Sequence, residues 1–221
     1  MIVFSKPTIT FLSGLSKHND KAWFEAHRDD YDESFLAPAR AFVEAIGPRL
    51  RKIDKMIHAE PKGSILRIHR DVRFSKDKRP YKDHLDLWFW SGAKKGWDSS
   101  GFFFRLTAKE LMLGAGMHGF MPPELAKYRA AVAGKKGESL AKIEAKLKKG
   151  GYDFGGETYK KVPRGFDEGH PRAALLKHSG LFAGWHGKHP KEMGTPRFVD
   201  FCAKHYAAIA PVHEWLKDAL R

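Results

Sequence analysis

Only one cysteine, Cys202, occurs among the 221 residues, so no internal disulfide can hold the fold. No apolar run approaches the roughly 20 residues needed to cross a bilayer, and no apolar signal segment opens the sequence. A reducing, cytoplasmic setting without membrane contact is the expectation. Acids are scarce: 26 Asp and Glu face 40 Lys and Arg, for a formal charge of +14. That excess points to anionic partners such as phosphate esters, nucleic acid or an acidic surface, set against a plain solubility surface. Signatures of established chemistry are missing too, with no HExxH, no GxSxG elbow, no GxxxxGK[ST] loop and no paired cysteines. No metal or cofactor is expected, and the sequence leaves open whether anything is catalysed.

What the chain does have is a dense basic stretch over residues 64–90. Between Lys62 and Lys82 it places eight Lys or Arg against two acids, Asp71 and Asp77. Ser64, Leu66, Ile68, Arg70, Val72 and Phe74 alternate with Ile65, Arg67, His69, Asp71 and Arg73, which predicts a half-buried strand. Residues 75–83 contain Pro80 and read as a connection. Leu85, Leu87 and Phe89 then alternate with His84, Asp86, Trp88 and Trp90. The same parity recurs in Phe102, Phe104 and Leu106, and in Leu111, Leu113, Ala115 and Met117. The pattern predicts an α+β fold with a four-stranded, mainly antiparallel sheet and helices packed on it. A single domain over 1–221 is expected, with a sheet-forming basic core at 62–118 and a helical, loop-rich part at 119–221.

Helical patterns fill the rest. Asn19 and Asp20 offer capping chemistry for a helix over 20–31, with Trp23 and Phe24 in the core. A second helix is expected over 35–53, where Gly47-Pro48 should kink or split it. Residues 91–100 read as a flexible hairpin loop. Pro122-Pro123 opens a helix through 133, and a further helix over 138–149 ends at Gly150-Gly151. Residues 155–171 read as a basic, aromatic loop and 171–177 as a short helix. The glycine-rich 179–187 follows, then a final helix over 197–220.

Arg67-x-x-Arg70-Asp71-x-Arg73-Phe74-Ser75-Lys76-Asp77-Lys78-x-Pro80-Tyr81-Lys82 resembles the signature of domain of unknown function 2461. Leu15-x-x-x-Asn19-x-x-x-Trp23-Phe24, Gly114-x-Gly116, Val162-Pro-Arg-Gly-Phe166 and His170-Pro171 are similar to its flanking segments, so the resemblance spans nearly the whole chain. His69 departs from it, standing where similar proteins tend to carry tyrosine. The resemblance implies a single cytosolic α+β domain and supplies no activity.

The candidate site is the polar sheet face, where Arg67, His69, Asp71, Arg73, His84, Asp86, Trp88, Arg105 and His118 would gather above a floor of Gly114 and Gly116. Arg67, Arg70, Arg73, Lys76, Lys78, Tyr81, Lys82, Arg105 and His118 are its candidate ligand-binding residues. Asp71, His84 and Asp86 are candidates for acid-base work. Arg67 and Arg73 would lie about 20 Å apart on a strand, too far for one small anion. Arg70 falls on the apolar side and needs a carboxylate or carbonyl partner, with Glu25 and Asp29 as candidates. An anionic small molecule is the expected partner. The alternatives are a nucleic-acid-binding module using the sheet and residues 135–164, and a scaffold without ligand.

Overall fold

The computed structural model describes residues 4–92 and 99–221. The hairpin loop expected at 91–100 lies largely outside the described residues. Helix α1 (Lys6–Lys17) starts at a capping box between Ser5 and Thr8, with proline in its first turn. Then come α2 (Lys21–Ala26), capped by Asp20, a single turn α3 (Arg28–Asp30) and a π-helical turn (Tyr31–Leu36). Helix α4 (Ala37–Ile53) follows, then β1 (Ile57–His58) and the turn α5 (Pro61–Ser64). Strands β2 (His84–Ser91), β3 (Gly101–Thr107) and β4 (Glu110–Met117) form a meander. The chain continues through α6 (Pro122–Ala133), α7 (Lys136–Lys149), β5 (Asp153–Glu157), α8 (Ala173–Leu176), β6 (His178–Lys188) and α9 (Phe198–Ala219).

The α+β class holds, but the sheet among the described residues has six antiparallel strands, not four, in the order β1-β2-β3-β4-β6-β5. The strands not expected are β1, β5 and β6. The expected first strand, 64–74, does not form a regular ladder. It runs beside the approach to β2 through two isolated bridges, Ile65 to Leu87 and His69 to Tyr81, and the register slips between them. Two causes are visible. Pro80 has no N–H to give a ladder, and the Asp71 and Asp77 carboxylates capture the backbone N–H groups of Arg73 and Arg79 in tight local turns. Gly47-Pro48 neither splits α4 nor ends it.

The chain falls into two compact units, each assembled from separate segments. The first comprises 1–89, 103–113 and 186–204; the second comprises 90–102, 114–185 and 205–221. In the first, Phe4, Phe42, Phe104 and Phe198 are fully buried against one another at ring separations of 4.9 to 6.4 Å. Each large apolar side chain buried this way contributes about 1.5–3 kcal/mol. In the second, Tyr128 meets Trp215 edge-on at 5.8 Å, and Tyr206 meets Phe102 the same way at 5.4 Å.

Candidate functional site

Asp86 is the most buried carboxylate described in the first unit. Strand β2 is buried from 85 to 91, so the expected open polar face is closed there, and Trp88 is covered rather than presented. Asp86 itself is 5% exposed. Arg105 on β3 meets it as a fork, donating from Nε to Oδ1 at 2.7 Å and from Nη2 to Oδ2 at 3.0 Å. Lys82 Nζ stands 3.4 Å and His84 Nε2 3.3 Å from Oδ2. Burial pushes the Asp86 carboxyl up, yet His84 and Arg105 outweigh it and hold the group well below the usual carboxylate range. Asp86 thus stays ionised at neutral pH, which suits an anchor for cations better than a proton carrier.

His84 extends the cluster. Its Nδ1 lies 2.9 Å from Asp83, so both ring nitrogens face carboxylates and only the doubly protonated ring can donate to both. Asp83 in turn lies 3.8 Å from Arg79. Arg79 donates in a fork to Asp77, whose Oδ2 also takes Arg70 Nη1 at 2.7 Å. The expected partner of Arg70 is therefore a carboxylate, but it is Asp77 and not Glu25 or Asp29, with the Arg79 carbonyl as a second acceptor at 3.2 Å. The forks of Arg79 and Arg70 hold the Asp77 carboxyl far below its ordinary value.

The remaining candidates do not converge on this cluster. Asp71 is exposed and grips Arg73 through both side-chain oxygens, at 3.0 and 2.7 Å. Lys78 donates to the Val72 carbonyl at 2.9 Å. Arg67 and Lys76 are exposed and make no hydrogen bond or ion pair with any described residue. The Tyr81 ring is 4% exposed, stacked 4.2 Å from Phe24, while Asn19 clamps its backbone N–H and carbonyl. His69 is exposed and tilts toward Tyr81 at 5.1 Å. His118 belongs to the second unit and is exposed, 5.9 Å from the Phe182 ring. Gly116 is not a site floor either: a Cβ there would sit 2.2 Å from the Leu181 carbonyl, so its bareness serves the approach of β6.

In the 135–164 region, Lys146, Lys148 and Lys149 close the last turn of α7, where positive charge offsets the helix dipole. Lys148 pairs with Glu144, and Lys136 with Asp218.

Sequence reasoning missed a groove of about 890 Å³ in the first unit, lined by Lys6, Thr10, Lys17, His18, Trp23 and His27 among others. Trp23 is half-buried there, unlike the fully buried Phe24. It stacks 4.0 Å from the His27 ring and lies against Gly14, where a Cβ would come within 2.5 Å of the indole. The Trp23–His27 spacing of four and the glycine one helix away were the available signals.

No helix among the described residues is long and apolar enough to cross a membrane. Among the same residues, no group of three or more His, Cys, Asp or Glu could hold a metal ion. No curated protein matches the chain. A family model does match it over residues 7–215 of 221, and the chain belongs to that family, described as "Conserved hypothetical protein (DUF2461)".

Proposed function

We propose that the protein binds a small molecule bearing a phosphate or carboxylate, held by Arg105 and Lys82 above Asp86. The observation that carries this reading is the surplus of donors on one buried carboxylate. Arg105 commits Nε and Nη2 to Asp86, while its Nη1 has no hydrogen-bond acceptor among the described residues and the side chain is 35% exposed. Lys82 adds an ammonium with a single long contact. Asp83 takes the other side of the His84 ring, so Asp86 alone faces both Arg105 and Lys82, and one carboxylate cannot neutralise two cations at this partly open surface. Donors already fixed in place bind an anion without first paying to order themselves. The cations of the 67–79 loop contribute less to this reading, because Arg70, Arg73 and Arg79 are already held by acids. Within the site, Asp86 is a positioning residue and His84 supports it.

Thermal melting with inorganic phosphate, sugar phosphates, nucleotides and dicarboxylates tests the proposal. A phosphorylated or carboxylated compound should raise the melting temperature of the natural protein, since a ligand specific to the native state stabilises it. Lys82→Gln should fold and lose most of that rise, and Arg105→Lys, which keeps the charge but not the fork, should lose part of it. A rise unchanged in both variants, or none with any compound class, would sink the proposal.

A further inference from the structure

Phe74 is 95% exposed, the most exposed of the large apolar side chains described. Leaving such a ring in water forgoes the stabilisation that burial would bring. The loop that carries it is nevertheless firmly built. Asp71 accepts from the Arg73 backbone and guanidinium, and Asp77 accepts from the Arg79 backbone and guanidinium and from Arg70. Arg70 reaches the Arg79 carbonyl, Lys78 reaches the Val72 carbonyl, and the Ser75 N–H bonds the same carbonyl at 3.3 Å. Braces thus run across the loop from both sides, and they hold the ring outward. An aromatic group fixed outward on an ordered loop has the make-up of a recognition anchor, its ordering cost already met in the free protein.

The surroundings define what it would recognise. Residues 67–79 hold six Lys or Arg against two Asp, an excess of four positive charges. Both acids are consumed by the braces, whereas Arg67 and Lys76 remain exposed without a hydrogen bond or ion pair among the described residues, Arg67 acting on Asp71 only through space. The Arg73 guanidinium lies over Phe74 at 5.7 Å, so one ring face carries a cation and the other is open. A flat, open π-face set among unpaired cations matches an unstacked base with phosphates to either side. A bilayer would call for several apolar side chains at the tip, and here a single ring stands between charges. We infer that the 67–79 loop is a docking surface for single-stranded nucleic acid, in which Phe74 stacks on a base and Arg67 and Lys76 meet phosphates. The inference does not rest on the Arg105–Lys82 site, although Arg79 and Asp83 link the loop to it.

The test is fluorescence anisotropy of a short labelled oligothymidylate against the full chain over a range of salt. Phe74→Ala should leave the melting temperature unchanged, because the ring is exposed, and weaken binding about tenfold. Phe74→Trp should retain the affinity, while Phe74→Leu, apolar but not flat, should behave like alanine. Arg67→Gln with Lys76→Gln should lower the salt slope by about 1.4, at roughly 0.7 per phosphate contact. Three results would each overturn the inference: no oligonucleotide binding at low salt, equal affinity for Phe74→Ala, or leucine retaining what tryptophan retains. Phe74-dependent binding to phosphatidylserine vesicles, with none to the oligonucleotide, would assign the loop to membranes instead.

Discussion

At the scale of single residues, the chemistry turns on which charges are bound inward. Asp86 has two cations and the His84 ring on one carboxylate, so replacing it with asparagine would leave the partly exposed Arg105 and Lys82 facing a neutral amide. Water reaches both cations left behind, so the cost falls below the roughly 3–5 kcal/mol of a fully buried pair, and denaturant titration of Asp86→Asn should show a loss of about 1–3 kcal/mol. Its pH signature follows from the depressed carboxyl. The stabilisation is fully present above the unfolded value near 4 and is lost only as pH falls through the lower folded value.

His178 behaves differently. It is 6% exposed with Nδ1 lacking a hydrogen-bond partner, and burial lowers its pKa although Glu144 and Glu157 work the other way. The native state therefore resists protonation that the unfolded chain accepts near pH 6.5, so its contribution is complete above that pH and shrinks below it. The decline is at most about 1.4 kcal/mol per pH unit. Melting curves between pH 7 and 5 should fall more steeply for the natural protein than for His178→Phe. Equal slopes would show that His178 does not report pH.

At the scale of elements, glycine carried two meanings that the sequence alone could not separate. The β2–β4 meander and α6 were readable because alternation and a double proline are local signals, and α9 was readable from its apolar stripe. Residues 179–187 showed only a glycine-rich composition, through Gly180, Gly184 and Gly187, and they lie within β6. A Cβ on Gly180 would sit 2.1 Å from the His118 carbonyl, so that glycine marks crowding between strands rather than a turn. The basic stretch misled in the opposite sense: its alternation was genuine, but Asp71 and Asp77 drew the backbone into turns. Which acid meets which arginine depends on that local folding, and so Asp77 was not visible as the partner of Arg70.

The two kinds of glycine can be told apart by mutation. Gly116→Ala adds a positive φ of 134° to a clash with the Leu181 backbone, and should cost more than about 2 kcal/mol. Gly165, with φ of 89° and nothing within 4 Å of an added Cβ, should cost only about 1 kcal/mol as alanine. Chemical denaturation of the two variants checks the order.

At the scale of the whole molecule, the interleaving of the two units governs what can be done with the chain. The polypeptide passes from one unit to the other after residues 89, 102, 113, 185 and 204, and β2, β3, β4 and β6 each divide their residues between the two. No single cut in the backbone can liberate either half, so a protease acting at one exposed turn should yield a nicked species whose pieces co-migrate until denaturant is added. Neither half can be complete on a nascent chain before residue 204 has been synthesised, so the stretch that reaches that residue is a gatekeeper of assembly for both.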